Sequence, residues 1–88
     1  MAWTLEYARS VRKSVEKLDP QTRNRIRDFI ENRIAVLDNP REPGKPLKGH
    51  LATFWRYRVG DYRIICDVQD HRLVVLVVEV GHRGDVYR

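Results

Sequence analysis

The chain has 88 residues, which bounds it to a single domain, residues 1–88, near the lower limit at which one hydrophobic core is self-sufficient. Lysine and arginine number 17 against 12 aspartates and glutamates, a formal net charge of +5, and 13 of the 17 are arginine. That balance argues for an anionic partner, because guanidinium favours planar, two-point contact with phosphate over diffuse attraction.

Other classes are excluded by what the sequence lacks. Cys66 is the one cysteine, so an internal disulfide is impossible, and no Cys/His cluster has metal-ligand spacing. The opening MAWTLEYARS has no apolar core of a signal peptide, and the longest apolar run, LVVLVV at 73–78, is far too short to span a bilayer. The expectation is a soluble chain of a reducing cytoplasm, with no membrane contact and no metal.

In chain order, Trp3 to Tyr7 alternates apolar and polar residues and predicts a short first strand. From Ala8 the period becomes helical, with Ala8, Val11, Val15 and Leu18 on one stripe. Asp19-Pro20 supplies an N-cap followed by proline at the first helical position, so a second helix starts there. Its stripe is Ile26, Phe29, Ile30, Ile34 and Leu37, and Asn39-Pro40 ends it. The segment 39–53, with three prolines and two glycines, predicts a long structureless loop pinned to the core by Leu47 and Leu51, and such loops often form a substrate rim. The remainder is β. Gly60-Asp61 is a two-residue hairpin turn, Asp70-His71 a second turn, and 73–80 a strand apolar on both faces, hence central, with the N-terminal strand on its free side. The predicted fold is α+β: an N-terminal strand, a helical hairpin, then a three-stranded antiparallel meander, in one small sheet with both helices on one face.

The hairpin FWRYRVGDYRIICD carries the functional signal. A two-residue turn places Val59 opposite Tyr62, Arg58 opposite Arg63 and Arg56 opposite Ile65. Alternation then puts Trp55, Tyr57, Val59, Tyr62, Ile64, Cys66 and Val68 on the helix side. Phe54, Arg56, Arg58, Arg63, Ile65 and Asp67 fall on the other side, which is expected to be open and positive. Facing arginines cost a few tenths of a kcal/mol, up to about 1. A phosphate held between them would reverse that sign. The tail GHRGDVYR leaves the sheet at Gly81, from where His82, Arg83 and Tyr87 can cover the arginine face. A phenol among guanidinium groups would have a lowered pKa, making Tyr87 a candidate proton acceptor; a frayed terminus is the alternative.

The element order, FWRYRVGDYRIICDV, the strand LVVLVVEV and the ending VGHRGDVYR together resemble the RelE-type toxins of the bacterial RelE/ParE superfamily. The resemblance implies a RelE-like fold and a ribosome-dependent endoribonuclease that cuts mRNA in the A site, held inactive by a cognate RelB-like antitoxin. It also implies metal-free attack by the RNA's own 2′-hydroxyl, giving a 2′,3′-cyclic phosphate and a 5′-hydroxyl. By position, Arg63 matches the arginine on the scissile phosphate, Arg83 the arginine credited with stabilising transition-state charge, and Tyr87 the tyrosine that stacks on substrate or acts as base. Arg56 and Arg58 stand where the best-known member has two lysines. Arginine stays protonated, so both are phosphate clamps rather than acids or bases. His82 is then the nearest candidate for proton transfer, with His50 a weaker one.

Lys45 and Lys48 of the long loop join the expected RNA- and phosphate-binding set. With Arg9, Arg12, Lys13, Arg23 and Arg27 they are candidate contacts to 16S ribosomal RNA, although Glu16, Asp28 and Glu31 intersperse acid among the helix cations. Two other readings use the same fold: a ParE-like inhibitor of DNA gyrase, whose relatives lack the RNase residue set, and a non-catalytic RNA-binding module.

Overall fold

The protein is described from a computed structural model, which covers residues 3–47 and 54–82. The expectations placed on Lys48, His50, Leu51, Arg83 and Tyr87 lie outside the described residues.

Strand β1, Thr4–Tyr7, leads into helix α1, Arg9–Glu16, and helix α2, Pro20–Phe29. Asp19 caps α2, accepting from the Thr22 amide at 3.1 Å and the Thr22 hydroxyl at 2.7 Å, and these bonds hold its carboxyl below the usual carboxylate range. The sequence reading carried one α-helix on toward Asn39. Instead α2 ends at Phe29 and Ile30–Ile34 form a π turn, closed by the Ala35 amide donating to the Ile30 carbonyl at 3.1 Å. The wider turn turns both Ile34 and Ala35 into the interior, a choice that apolar spacing of four residues does not reveal.

A second departure concerns the loop. Within 39–53, Lys45–Pro46 form a two-residue strand, β2, paired antiparallel to β3, Phe54–Val59. Leu47 is only half-buried, although its amide donates to the Phe54 carbonyl at 3.1 Å. The main anchors are others. The buried Tyr57 hydroxyl donates to the Pro40 carbonyl at 2.9 Å, while the Arg41 guanidinium lies 5.9 Å from the Trp55 ring centroid and pairs with Asp70.

Strand β4, Tyr62–Gln69, a single 3-10 turn at Asp70–Arg72 and strand β5, Val74–His82, complete the sheet, in the order β1-β5-β4-β3-β2. Strand β5 is central as expected, parallel to β1 and antiparallel to β4. It runs through Gly81 to His82, so the chain does not leave the sheet at the glycine. A bulge opposite Ile65 and Cys66 shifts the β4–β5 register by one residue.

Both helices cover one face of the sheet. Val11, Ile26, Ile30 and Ile34 meet Tyr57, Ile64, Cys66, Val75, Val77 and Val80 there. Each fully buried isoleucine or valine contributes about 1.5 to 3 kcal/mol. Burial pushes both the Tyr57 phenol and the Cys66 thiol well above their ordinary pKa values, so neither ionises near neutrality. Among the described residues, no helix is long and apolar enough to cross a membrane.

Candidate functional site

The β3–β4 hairpin has the register its two-residue turn demands. Val59 faces Tyr62, Arg58 faces Arg63 and Arg56 faces Ile65. Gly60 takes φ +58°, the left-handed region that a tight hairpin turn requires and a side chain resists. Across the outer edge, Lys45 of β2 stands opposite Arg56. Partners in register share a face and hold their Cβ atoms about 5 Å apart, and successive side chains on that face are about 7 Å apart along a strand. Two neighbouring rungs thus carry Lys45, Arg56, Arg58 and Arg63 on the face away from the helices.

These four side chains, with Pro43 and Tyr57, line one recess of about 150 Å³. That space is large enough to take one phosphodiester group, and its cationic lining is what favours an anion there. Gly44 makes the recess possible. A Cβ there would lie 2.6 Å from Tyr57 Cε2 and 3.0 Å from the Arg56 carbonyl oxygen, so only glycine lets β2 approach β3 this closely.

The cationic face is less uniform than the sequence reading supposed. Arg58 is exposed and Arg56 half-buried, whereas Arg63 is only 9% exposed. Its strand lies between β3 and β5, and a long arginine stem laid along an interior strand is covered on both sides. Four residues further along β4, Asp67 accepts a hydrogen bond from the Gln69 side-chain amide at 3.0 Å.

His82 stands apart from the recess. It pairs in register with Tyr62, and the two rings meet edge to face, 5.5 Å between centroids at 84°. Tyr62 packs with the core on the helix side, so the alternation of β4 puts this ring pair and Arg63 on opposite faces.

A larger cleft of about 420 Å³ lies on the helix side between α1 and α2. Arg12, Arg23 and Arg27 are balanced there by Glu16 and Glu31, and burial beside Glu31 raises the Tyr7 pKa. Opposed charges of that kind do not concentrate an anion, as the four-cation recess does. The linings from Pro43 and Tyr57 escaped the sequence reading; the close Gly44–Tyr57 approach that creates them depends on a strand too short to show a pattern.

The chain belongs to a family of toxins of type II toxin–antitoxin systems: the family model described as the ParE toxin of the parDE system matches residues 5–87. Proteins similar to it include RelE-type toxins. The chain is 33% identical over 91 residues to toxin RelG of Mycobacterium tuberculosis, covering 100% of this chain and 99% of that protein. It is 29% identical over 90 residues to the mRNA interferase toxin RelE of Escherichia coli strain K12, covering 99% and 92% respectively. Among solved structures, it is similar to a chain of the toxin–antitoxin complex RelBE2 from Mycobacterium tuberculosis, with TM-score 0.84 and 27% identity over 97% of this chain and 95% of that one. A mutant of E. coli toxin RelE in the free state aligns with TM-score 0.78 and 26% identity, covering 99% and 92%.

Proposed function

We propose that this toxin is a ribosome-dependent endoribonuclease that cuts mRNA in the A site, and that a RelB-like antitoxin holds it inactive. The observation that carries the reading is the convergence of Lys45, Arg56, Arg58 and Arg63 on one recess with room for a phosphate group. The likeness to a protein named as an mRNA interferase supports the substrate class. Solved toxin–antitoxin complexes of similar fold support the protein partner.

In the proposed reaction the 2′-hydroxyl gives up its proton as its oxygen attacks the adjacent phosphorus, the P–O bond to the 5′ oxygen breaks, and that oxygen takes a proton from solvent, so that none is gained or lost overall. Negative charge grows on the nonbridging oxygens, where fixed guanidinium groups stabilise it without reorganising. Arg63 holds the scissile phosphate, Arg56 and Arg58 clamp it from the neighbouring strand, and Lys45 closes the outer edge. None of the arginines moves a proton. Arg83 and Tyr87 are assigned, on the sequence resemblance, to transition-state charge and to proton acceptance. With little acid–base machinery in the recess, the ribosome's contribution is orientation, an effect worth several kcal/mol.

The test is incubation of the purified chain with a defined mRNA, with and without programmed ribosomes, followed by end-group analysis. The reading predicts fragments only with ribosomes, ending in 2′,3′-cyclic phosphate and beginning with 5′-hydroxyl. Because the matching family model is described by ParE, gyrase supercoiling is assayed in parallel. Inhibited gyrase with intact mRNA would replace this reading by the gyrase one.

A further inference from the structure

The face that carries the recess continues beyond it. Phe54 stands two residues before Arg56 on β3, so it lies on the same face, about 7 Å along the strand. It is half-buried and is not among the side chains of the apolar cluster, which the opposite face of the sheet builds with the helices. Its backbone is fixed from both sides, by pairing with Asp67 of β4 and by the Leu47 amide, which donates to its carbonyl at 3.1 Å. Asp67 shares this rung and this face, and its carboxylate accepts from the Gln69 side chain.

Neighbouring rungs therefore present different chemistry. Lys45 and Arg56 gather positive charge at one, with Arg58 and Arg63 at the next, while Phe54 and Asp67 offer a ring and a negative charge on the other side. A carboxylate there repels a second phosphate and favours the amino groups that bases carry on their edges. The ring supplies a face on which any base can stack. Within one nucleotide the base and its phosphate stand a distance apart comparable with that between the two rungs.

We propose that Phe54 is a stacking platform for the base of the nucleotide whose phosphate occupies the recess. The ligand is single-stranded RNA, whose unstacked bases are free to turn onto a protein ring. The inference rests on the nuclease reading for the choice of RNA, and its test separates the two.

The probe is a short 2′-O-methyl oligoribonucleotide, which cannot be cleaved, compared with a sugar–phosphate strand of equal length that lacks bases. Fluorescence anisotropy across a salt series measures binding of each to wild type, Phe54→Leu and Phe54→Tyr. Wild type prefers the strand with bases by about five- to 150-fold, the worth of one stacked base. Phe54→Leu loses that preference but keeps the wild-type salt dependence, which phosphate contacts set. Phe54→Tyr, with its ring intact, keeps the preference within about threefold. NMR of the wild-type chain gives a readout that needs no variant: the Phe54 ring protons move upfield on adding the strand with bases and not on adding the baseless one. Unmoved ring protons at saturation, or full base preference in folded Phe54→Leu, would overturn the proposal. A wild-type chain that prefers bases in this way but cuts no mRNA on ribosomes refutes the nuclease reading and leaves the platform standing. One that cuts mRNA but shows no preference between the strands refutes the platform alone.

Discussion

Arg58 and Arg63 sit directly opposite each other on adjacent strands, one exposed and one covered. Like charges in that relation oppose folding, and a bound phosphate turns the same geometry into a two-sided clamp. Replacing Arg58 with glutamine therefore separates the two roles. Arg58→Gln should raise stability by a few tenths of a kcal/mol, up to about 1, at low ionic strength, and the gain should shrink as salt screens the pair. Cleavage should fall at least about tenfold, since one charged donor to the phosphate is gone. Thermal unfolding across a salt series and single-turnover cleavage measure the two effects. A less stable variant with full activity would contradict the assignment.

At the scale of elements, the hairpin was legible because its turn leaves no freedom. Two residues between the strands fix the register, and alternation then assigns every side chain to a face. The central place of β5 was legible for a related reason, since Val74 and Val75 are adjacent in sequence and both buried, which only an interior strand allows. Three features were not. The π turn shares the four-residue apolar spacing of an α-helix. Arg63's burial depends on which strands flank it, which composition does not state. Strand β2 is two residues long, and no alternation can mark it. Its seat depends on Gly44, whose missing side chain admits the Tyr57 ring. Tyr57 is 1% exposed and its hydroxyl is committed to Pro40, so the ring cannot yield. Gly44→Ala should cost about 1 to 3 kcal/mol through overpacking and weaken RNA binding by displacing Lys45. Lys45→Ala, by contrast, should weaken binding without loss of stability. Equal stability of Gly44→Ala and wild type in denaturant unfolding would remove the argument for a rigid rim.

Across the whole molecule, charge is distributed by face. The helix side mixes arginines with Glu16, Glu31 and Asp28, whereas the hairpin side gathers four cations around one recess. An antitoxin that silences the proposed reaction must cover those cations or displace the tail, so an acidic or amphipathic segment that folds on binding is the expected partner. A chain this small gains stability from such a partner by mass action, which couples the toxin's persistence to its inhibition.

The central claim is that the hairpin recess grips the phosphate being cut. It is tested most directly by mapping 5′ ends of a defined mRNA on programmed ribosomes, with wild type beside Arg63→Ala, Arg83→Ala and Tyr87→Phe. The account predicts cuts at the A-site codon for wild type, a loss of about a hundredfold or more for Arg63→Ala, and ribosome binding retained in all four proteins. Undiminished cutting by folded Arg63→Ala would contradict it, because the scissile phosphate would then be held somewhere other than the hairpin.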